Sequence, residues 1–479
     1  MKGNKVETEP KVAGEQNSSN KVLLVLFVGV LMGALDIAIA GPALPAMQAS
    51  YGVTDRIIPW VFTIYVLFNL VGTPLMAKLS DLFGRRSLYV TAVSLFAFGS
   101  LLVVVAPNFG VVLVGRAIQG FGAGGIFPVA SAVIGDTFPP EKRGSALGLI
   151  GAVFGLAFVI GPIIGGVLLA FSWHWLFLIN LPVAVALIIA SMRLLPSTHP
   201  ATRKPFDLAG MAVLAALLAA GTYGLNLIDT ADLLASVTSW GVLPYLLAVP
   251  VLLLLFVFIE RRAQDPIIRM SLFTSKQVTL ALIFAAGAGL GEAAIVFVPK
   301  LLTSAFNVSE SSASFMLLPL VLGMVVGSPV AGRTLDKAGS RIVLLAGNAL
   351  LVGGMLTWGI LADNITFFYA GSIFVGLALG ILLGAPLRYI MLGEAAPTER
   401  ASAQGALTLF SSSGQLVGAA LMGAVIASQG SGPTGYEEAF ILVGLLAVAF
   451  ALLTLMLKKR SAELATQRAT TQIGSKSLA

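Results

Sequence analysis

Long apolar runs separated by short polar segments extend over nearly the whole chain. A helix needs about 20 mostly apolar residues to cross a bilayer, and fourteen runs approach or reach this length. The first run is too long for a cleaved signal peptide and follows about twenty polar residues. The pattern predicts fourteen membrane-spanning helices at residues 22–44, 57–76, 87–106, 111–134, 144–171, 175–192, 208–228, 242–259, 278–298, 313–331, 342–361, 366–391, 401–428 and 438–457.

The composition agrees with a membrane protein. Of the 479 residues, 57% are hydrophobic and only 11% are charged, and the mean hydropathy is +0.95. Soluble globular domains carry about 25% charged residues, so these values argue against a soluble enzyme. Cysteine is absent, which excludes disulfides, thiolate metal sites and cysteine nucleophiles.

The distribution of positive charge predicts the orientation. With a cytoplasmic N-terminus, 26 of the 29 Lys and Arg residues fall in the tails and loops of that side, whereas the outer loops hold only Arg56 and Lys300. Cytoplasmic loops carry an excess of Lys and Arg, so we expect a multi-pass protein of the cell membrane with both termini in the cytoplasm. The net charge of +7 then reflects topology, and nucleic acid is not an expected partner.

Two sequence patterns occur twice at nearly the same offset. Residues 77–86 and 332–341 both read small–basic–x–x–Asp–x–x–Gly–x–basic, and the two aspartates are 255 positions apart. Residues 140–148 and 397–405 both read Pro–x–x–Arg–x–Ser–Ala–x–Gly, at an offset of 257. These matches indicate an internal duplication, and parallel repeated halves are a transporter architecture.

The duplication divides the chain into segments. We predict an all-α integral membrane protein with a cytoplasmic N-tail (1–21), a six-helix bundle (22–193), a linker with two inserted helices (194–276), a second six-helix bundle (277–457) and a cytoplasmic C-tail (458–479). The repeated loops are candidate gating latches, because an aspartate can accept hydrogen bonds from the N-terminus of a neighbouring helix. Plain anchoring of the topology is the alternative. The candidate loop residues are Asp81, Gly84, Arg85, Arg86, Asp336, Gly339 and Arg341.

Five motifs together resemble the major facilitator superfamily, and within it the fourteen-span drug:proton antiporter family. They lie at residues 35–45 in the first span, 79–86 in the first repeated loop (motif A), 116–122 in the fourth span (motif B), 148–166 in the fifth span (motif C) and 173–182 before the sixth span. The sequence departs from the family pattern at Ala38, Gly41, Pro42, Ala77, Ala157 and His174. The resemblance implies the major-facilitator fold, proton coupling that involves Arg116 of motif B, and a bacterial inner membrane as the location.

Three ionisable residues lie well inside predicted spans: Asp36, Arg116 and Glu292. A charge at the bilayer centre costs about 2.5–3.5 kcal/mol on insertion scales, so each needs a partner or a function. Asp36 and Glu292 are 256 positions apart, which makes them mates in the two halves, and we expect both to face one central cavity. Arg116 lies at a depth where it can pair with Asp36. The three are candidate proton-coupling residues, with structural bracing as the alternative.

Further candidates concern helix packing and the cavity wall. Pro162 removes a backbone donor, so the fifth span is expected to bend there; Gly148, Gly161, Pro162, Gly165 and Gly166 are candidates for an antiporter hinge or seal. The glycine run 120–125 is expected to serve helix packing. Aromatic side chains can bind cations or flat ligands, although core or lipid contact is the simpler role for each; the candidates are Tyr65, Phe68, Phe154, Phe158, Phe284 and Phe297.

No catalytic set or cofactor motif is found in the sequence. His174 and His199 fall on opposite sides of the predicted membrane and cannot share a metal, and no phosphate-binding loop is present. We therefore predict secondary transport without cofactor or metal. The leading hypothesis is a proton-coupled antiporter of amphipathic or cationic compounds that works by alternating access as a monomer among membrane lipids. A transporter of lipids or lipid-linked molecules and a non-transporting receptor or sensor are the alternatives.

Overall fold

The computed structural model describes residues 10–138, 149, 153, 156, 157, 160–196, 207–264, 266–361, 364–394, 400–429 and 432–466. Within these ranges, the side chains of residues 10–19, 78, 81, 135, 336, 392 and 400–402 are outside the description. Regular structure in the described part is helical throughout. The prediction of an all-α membrane protein is thus confirmed.

The described fold consists mainly of nineteen α-helices, α1 to α19; the 3₁₀ helices Met270–Thr274 and Thr454–Met456 and a helical stretch at 460–466 complete it. The first half contains α1 to α7: Pro10–Tyr51, Trp60–Phe83, Arg85–Val104, Phe109–Thr137, Ile160–Leu169, His174–Leu178 and Asn180–Leu194. The inserted segment contains α8 to α10: Leu208–Asn226, Leu233–Thr238 and Leu243–Glu260. The second half contains α11 to α19: Lys276–Ile295, Val298–Ala305, Glu310–Phe315, Leu318–Ala338, Ser340–Ile360, Ile365–Leu382, Ala385–Glu394, Arg400–Ser428 and Pro433–Leu453.

Thirteen described segments are long and apolar enough to cross a membrane. They correspond to every predicted span except the fifth, 144–171, most of which lies outside the described residues. Its described part, α5, is a short apolar helix. Several spans consist of two consecutive helices: α6 with α7, α11 with α12, α13 with α14, and α16 with α17. Pro299 at the start of α12 cannot donate to a preceding turn, which favours the break there.

The helices pack as two groups. In the first half, α4 packs against α2 and α3, and α7 packs against α1 and α3. In the second half, α16 packs against α14 and α15, α11 packs against α18, and α19 packs against α15. The groups meet where α1 contacts α12 and α13 and where α2 contacts α18. We call the end at which α1 finishes the predicted outer end, and the opposite end the predicted cytoplasmic end.

The inserted helices α8 and α10 form a pair beside both groups. α8 contacts α10 on one side, and α2 and α18 on the other. α10 runs continuously through Pro250, with Pro244 in its first turn, where the missing N–H costs no hydrogen bond. Only 11% of the residues in its apolar stretch are buried within the protein, so lipid can contact most of the surface of α10. Gly221 in α8 and Pro244 and Pro250 in α10 therefore leave both helices unbroken.

The repeated loops are single-residue turns with the same backbone geometry. Gly84 joins α2 to α3 with φ 89° and ψ 146°, and Gly339 joins α14 to α15 with φ 81° and ψ 169°. This region is essentially restricted to glycine. Both halves therefore reverse the chain at the predicted cytoplasmic end by the same device, and the glycine of the repeated pattern is required by its conformation.

We predict that Gly339→Ala lowers the free energy of unfolding by about 1–3 kcal/mol, the cost of an unfavourable backbone conformation. An added Cβ would also lie 2.7 Å from a carboxylate oxygen of Glu463. Gly332→Ala is the matched control, because it lies in the same repeated pattern and its Cβ would meet nothing within 4 Å. Thermal denaturation of the purified protein in detergent measures both; equal midpoints would contradict the assignment.

Candidate functional site

A buried polar cluster occupies the interior of the first half. The side chains of Asp36 and Arg116 are both fully buried, and Arg116 Nη1 lies 2.5 Å from Asp36 Oδ2. Gln119 Nε2 donates to Asp36 Oδ1 at 2.7 Å, and Asn180 Nδ2 donates to the same oxygen at 3.2 Å. Ser100 Oγ accepts from both amides. The carboxylate thus has a charged partner and two amide donors from α4 and α7.

Arg116 is held from several directions. Its Nε donates to the Val61 carbonyl at 3.0 Å, and its Nη1 also donates to Gln119 Oε1 at 2.8 Å. The guanidinium carbon lies 4.2 Å from the centre of the Tyr65 ring and 5.5 Å from that of Phe177. Cation–π contacts strengthen when desolvated, so these rings compensate part of the lost hydration. The buried guanidinium of Arg116 therefore joins α1, α2 and α4 through its contacts.

Close helix packing brings the members of this cluster together. Gly99 of α3 faces the backbone of α4. A Cβ added to Gly99 would lie 2.5 Å from the backbone nitrogen of Gln119. The glycine run 120–125 lies within α4 and faces α2 and α3. Because these glycines have no side chains, α2, α3 and α4 approach one another closely. Ser100 and Gln119 can therefore form a hydrogen bond. This agrees with the packing role expected for the run.

A cavity lies between the two halves, beside the buried cluster. It encloses about 520 Å³ of empty space, including solvent-open volume. Among the described side chains that line it, Glu292 is the one ionisable residue. The other lining residues are apolar: Ile37, Ala38, Gly41, Pro42, Phe62, Pro162, Ile295, Val296, Leu317, Leu320 and Val321. The cavity is therefore an apolar space with a single acid.

Glu292 is oriented by a residue of the neighbouring helix. Its side chain is partly exposed, and Gln415 Nε2 of α18 donates to Glu292 Oε2 at 2.5 Å. No ion pair joins Glu292 to a base in the described part of the chain. Glu292 lines the cavity, whereas Asp36, which was expected to face the same space, does not. The physical reason is helix rotation: Ile37 and Ala38 of the same helix face the cavity, and Asp36 points into the first half.

The antiporter-motif residues close the cavity towards the predicted outer end. A Cβ on Gly161 would lie 2.6 Å from the Ala38 Cβ, so α5 packs tightly on α1. From the second half, Ser314 Oγ donates to the Pro162 carbonyl at 2.8 Å and Ser311 Oγ donates to the Gly166 carbonyl at 2.5 Å. A Cβ on Gly165 would lie 2.9 Å from Ser314 Oγ. These contacts join the two halves; Gly148 lies outside the described residues.

The aromatic candidates are placed differently from the expectation. Tyr65 lies on Arg116, inside the first half, and its hydroxyl donates to the Gly33 carbonyl at 3.5 Å. Phe284 and Phe297 are buried in the core, and Phe68 is exposed. None of these four lines the cavity; Phe154 and Phe158 lie outside the described residues. The aromatic lining residue is Phe62, which the choice from sequence missed because residue type does not reveal the direction of a side chain.

The repeated loops carry ionic contacts at the predicted cytoplasmic end. Arg85 pairs with Asp136 at 3.1 Å and donates to Ser80 Oγ at 2.6 Å. Arg86 donates to the Met192 carbonyl at 3.3 Å, and Arg341 is partly exposed. The side chains of Asp81 and Asp336 lie outside the described ones. The first loop is thus tied to α4 and α7 through its arginines.

Sequence reasoning missed four polar members of these sites: Ser100, Gln119, Asn180 and Gln415. Each is an uncharged polar residue in an otherwise apolar span. Polar residues inside spans form hydrogen bonds across helices, and that signal was available for the three amides.

Comparisons with known proteins add the following similarities. A family model described as Major Facilitator Superfamily matches residues 26–291 and 278–478. The chain is 35% identical over 401 residues to the uncharacterized MFS-type transporter YfiU of Bacillus subtilis, covering 82% of this chain and 77% of that protein. It is 30% identical to Multidrug resistance protein 3 of the same organism, with coverage of 86% and 80%. The crystal structure of the human organic anion transporter MFSD10 matches 93% of this chain and all of that one, with TM-score 0.62 and 18% identity.

We predict that Arg116→Gln destabilises the protein by about 3–5 kcal/mol, because it leaves the buried Asp36 carboxylate without its cation. Adding Asp36→Asn to this variant should recover part of the loss, since the remaining amides can bond to one another. The midpoints of thermal unfolding in detergent for the wild type, both single variants and the double variant give the coupling. Strictly additive losses would show that the pair does not act as a unit.

Proposed function

The chain belongs to the Major Facilitator Superfamily, a family of membrane transporters, and on that premise we propose that it is a proton-coupled antiporter. It exports amphipathic compounds, cationic or neutral, by alternating access of its two six-helix halves. The observation that carries the proposal is Glu292, a single acid on an apolar cavity between those halves. The name of the relative Multidrug resistance protein 3 supports export of small molecules.

The cavity lining supports this class of substrate. Eleven of the twelve described residues that line the cavity are apolar. Transfer of the apolar part of a ligand from water into this cavity is therefore favourable. A cationic group of the ligand would pair with the Glu292 carboxylate, and a proton on that carboxyl would remove the attraction. Substrate and proton then compete for one group, which is the requirement for exchange. Gln415 holds the carboxyl towards α18 and acts as a positioning residue.

The Asp36–Arg116 pair has a different place in the mechanism. Each charge is fully buried and compensated by the other, so the pair holds α1 and α4 together in this conformation. Ile37 and Ala38 lie next to Asp36 on α1 and line the cavity. A movement of α1 during alternating access would therefore reach both sites. Asp36, Arg116 and Glu292 together form the proposed proton-coupling set.

The proposal assigns the closed side of this conformation. With the N-terminus cytoplasmic, the contacts of Ser311 and Ser314 with α5 lie at the outer end, so the cavity is sealed against the outside. These contacts would have to break in the outward-open state. The small residues of the antiporter motif make that seal tight, while the repeated loops serve as latches on the opposite side.

We predict that Glu292→Gln reduces proton-driven export of a cationic dye to the level of leak. Proteoliposomes with an imposed pH gradient provide the assay, and dye quenching gives the rate. Glu438→Gln is the matched control, because Glu438 is partly exposed on α19 and outside the cavity lining. Wild-type export by Glu292→Gln would refute the role of Glu292, and equal loss in both variants would make the effect unspecific.

A lipid cargo is the second candidate, and the nearly complete absence of polar groups from the cavity lining favours it. We predict that proteoliposomes loaded with both a cationic dye and a labelled phospholipid show gradient-dependent movement of the dye and not of the phospholipid. Movement of phospholipid alone would replace the drug-like substrate by a lipid. Binding of the dye without movement of either compound would instead identify a receptor.

A further inference from the structure

Two carboxyl groups meet at the predicted cytoplasmic end of the inserted helix pair. Asp207 caps α8: its Oδ1 accepts from the Gly210 amide at 2.7 Å. Glu260 is the last residue of α10 and is 98% buried, since its exposed fraction is 2%. Its Oε2 accepts from the amide of Ile268 at 3.0 Å. Each carboxylate therefore accepts a backbone hydrogen bond through one of its oxygens. The second oxygen takes no part in that bond.

The two remaining oxygens share one small space. Asp207 Oδ2 and Glu260 Oε1 are both buried and have no hydrogen-bond partner within the described part of the chain. A Cβ placed on Gly210 would touch Asp207 Oδ2 and lie 2.8 Å from Glu260 Oε1. Gly210 therefore leaves a gap that both oxygens border. Buried acceptors without a donor are costly, and here there are two side by side.

The charged groups around this pair are few. Arg261 and Arg262 follow Glu260 and are exposed, and the Arg262 guanidinium lies over the Phe258 ring at 4.0 Å. Arg269 follows Ile268 and is partly buried. On the helices packed against α8, the charged residues other than Glu260 are Lys78 and Asp81 of α2 and Arg400 of α18, whose side chains lie outside the description. Among the described side chains, the charges next to the pair along the chain are therefore those of Arg261, Arg262 and Arg269.

We propose that Asp207 and Glu260 form a proton-binding site in which the two carboxyl groups share one proton. Two carboxylates that border one buried gap cannot both ionise readily, and a shared proton would replace their repulsion by a charge-assisted hydrogen bond. A divalent cation is a poorer occupant, because Ca²⁺ and Mg²⁺ take about six or more oxygen ligands. The described residues contain no group of three or more His, Asp or Glu side chains able to hold a metal.

The position of the site gives it a role that is separate from Glu292. Asp207 begins α8, which packs against α2 of the first half and α18 of the second. Through the amide of Ile268, Glu260 holds the segment that leads to a short 3₁₀ helix, Met270–Thr274, and then to α11. The shared proton therefore ties the inserted helices together at the junction of the two halves. Loss of the proton at alkaline pH would leave adjacent negative charges and loosen that junction.

Labelling with dicyclohexylcarbodiimide tests the site, because this reagent modifies protonated carboxyls in apolar surroundings. The purified full-length protein is treated over a series of pH values, and peptide mass spectrometry locates the adduct, so that reaction at Glu292 is counted separately. We expect an adduct on Glu260 or Asp207 that decreases as the pH rises. No adduct on either residue at any pH would overturn the proposal.

Conservative variants distinguish a shared proton from a proton on a merely buried Glu260. Asn caps a helix about as well as Asp, so Asp207→Asn keeps α8 intact while its amide donates to an ionised Glu260. Labelling of Glu260 should then be lost, and Glu260→Gln should likewise abolish labelling of Asp207. Undiminished labelling of Glu260 in Asp207→Asn would refute sharing. Asp232→Asn is the control, because Asp232 caps α9 at the other end of the pair through the same kind of hydrogen bond, from the amide of Ala235.

A second measurement applies even if one variant folds poorly. The folded wild type holds a proton that the unfolded chain has released, so its thermal midpoint should decrease as the pH rises through the range in which the pair ionises. Asp207→Asn removes the pair and should flatten this decrease. Parallel pH profiles for the wild type and Asp207→Asn would contradict the proposal.

Discussion

The buried ion pair between Asp36 and Arg116 is the constraint around which the first half is built. Removing two charges from water is costly, and their attraction repays the cost only with good geometry and further hydrogen bonds. The structure supplies both, through a contact of 2.5 Å, two amides on the carboxylate and a backbone carbonyl on the guanidinium. Four helices contribute to this arrangement, so it fixes their rotations relative to one another. Those rotations decide which residues of α1 reach the cavity.

The duplicated halves differ at this position, and the difference places the acid of the cavity. Glu292 matches Asp36 in the repeat, but the position that matches Arg116 is Ser372, a buried residue whose hydroxyl donates to the Phe368 carbonyl. At the matching position, the second half thus has no arginine that could form an ion pair with Glu292. Glu292 faces the space between the halves, with Gln415 as its hydrogen-bond partner. The same ancestral pattern yields a buried ion pair in the first half and a partly exposed carboxyl in the second.

The sequence predicted the spans and the turn glycines because these depend on local properties. Apolar length determines a span, and a backbone with positive φ selects Gly84 and Gly339. Side-chain direction is a different matter, since one residue along a helix turns the direction by about 100°. Asp36 and Ile37 are adjacent in sequence and face different environments. The meeting of Asp207 with Glu260 could not be predicted either, because the turn between α8 and α10 decides which residues of the two helices lie side by side.

The membrane part of the protein therefore holds its acids in three settings. Asp36 has a fixed cation, Glu292 has an amide donor, and Glu260 lies opposite another acid. A carboxylate beside a fixed cation resists protonation, because the proton would displace a favourable charge pair. An acid without a cation gains from protonation in an apolar space, and two acids side by side gain more. The proposed mechanism therefore places proton exchange at Glu292 and at the Asp207–Glu260 pair, and it leaves the Asp36–Arg116 pair to respond to movement of the helices around it. This division connects the proposed chemistry of the cavity with the helix movements that alternating access requires.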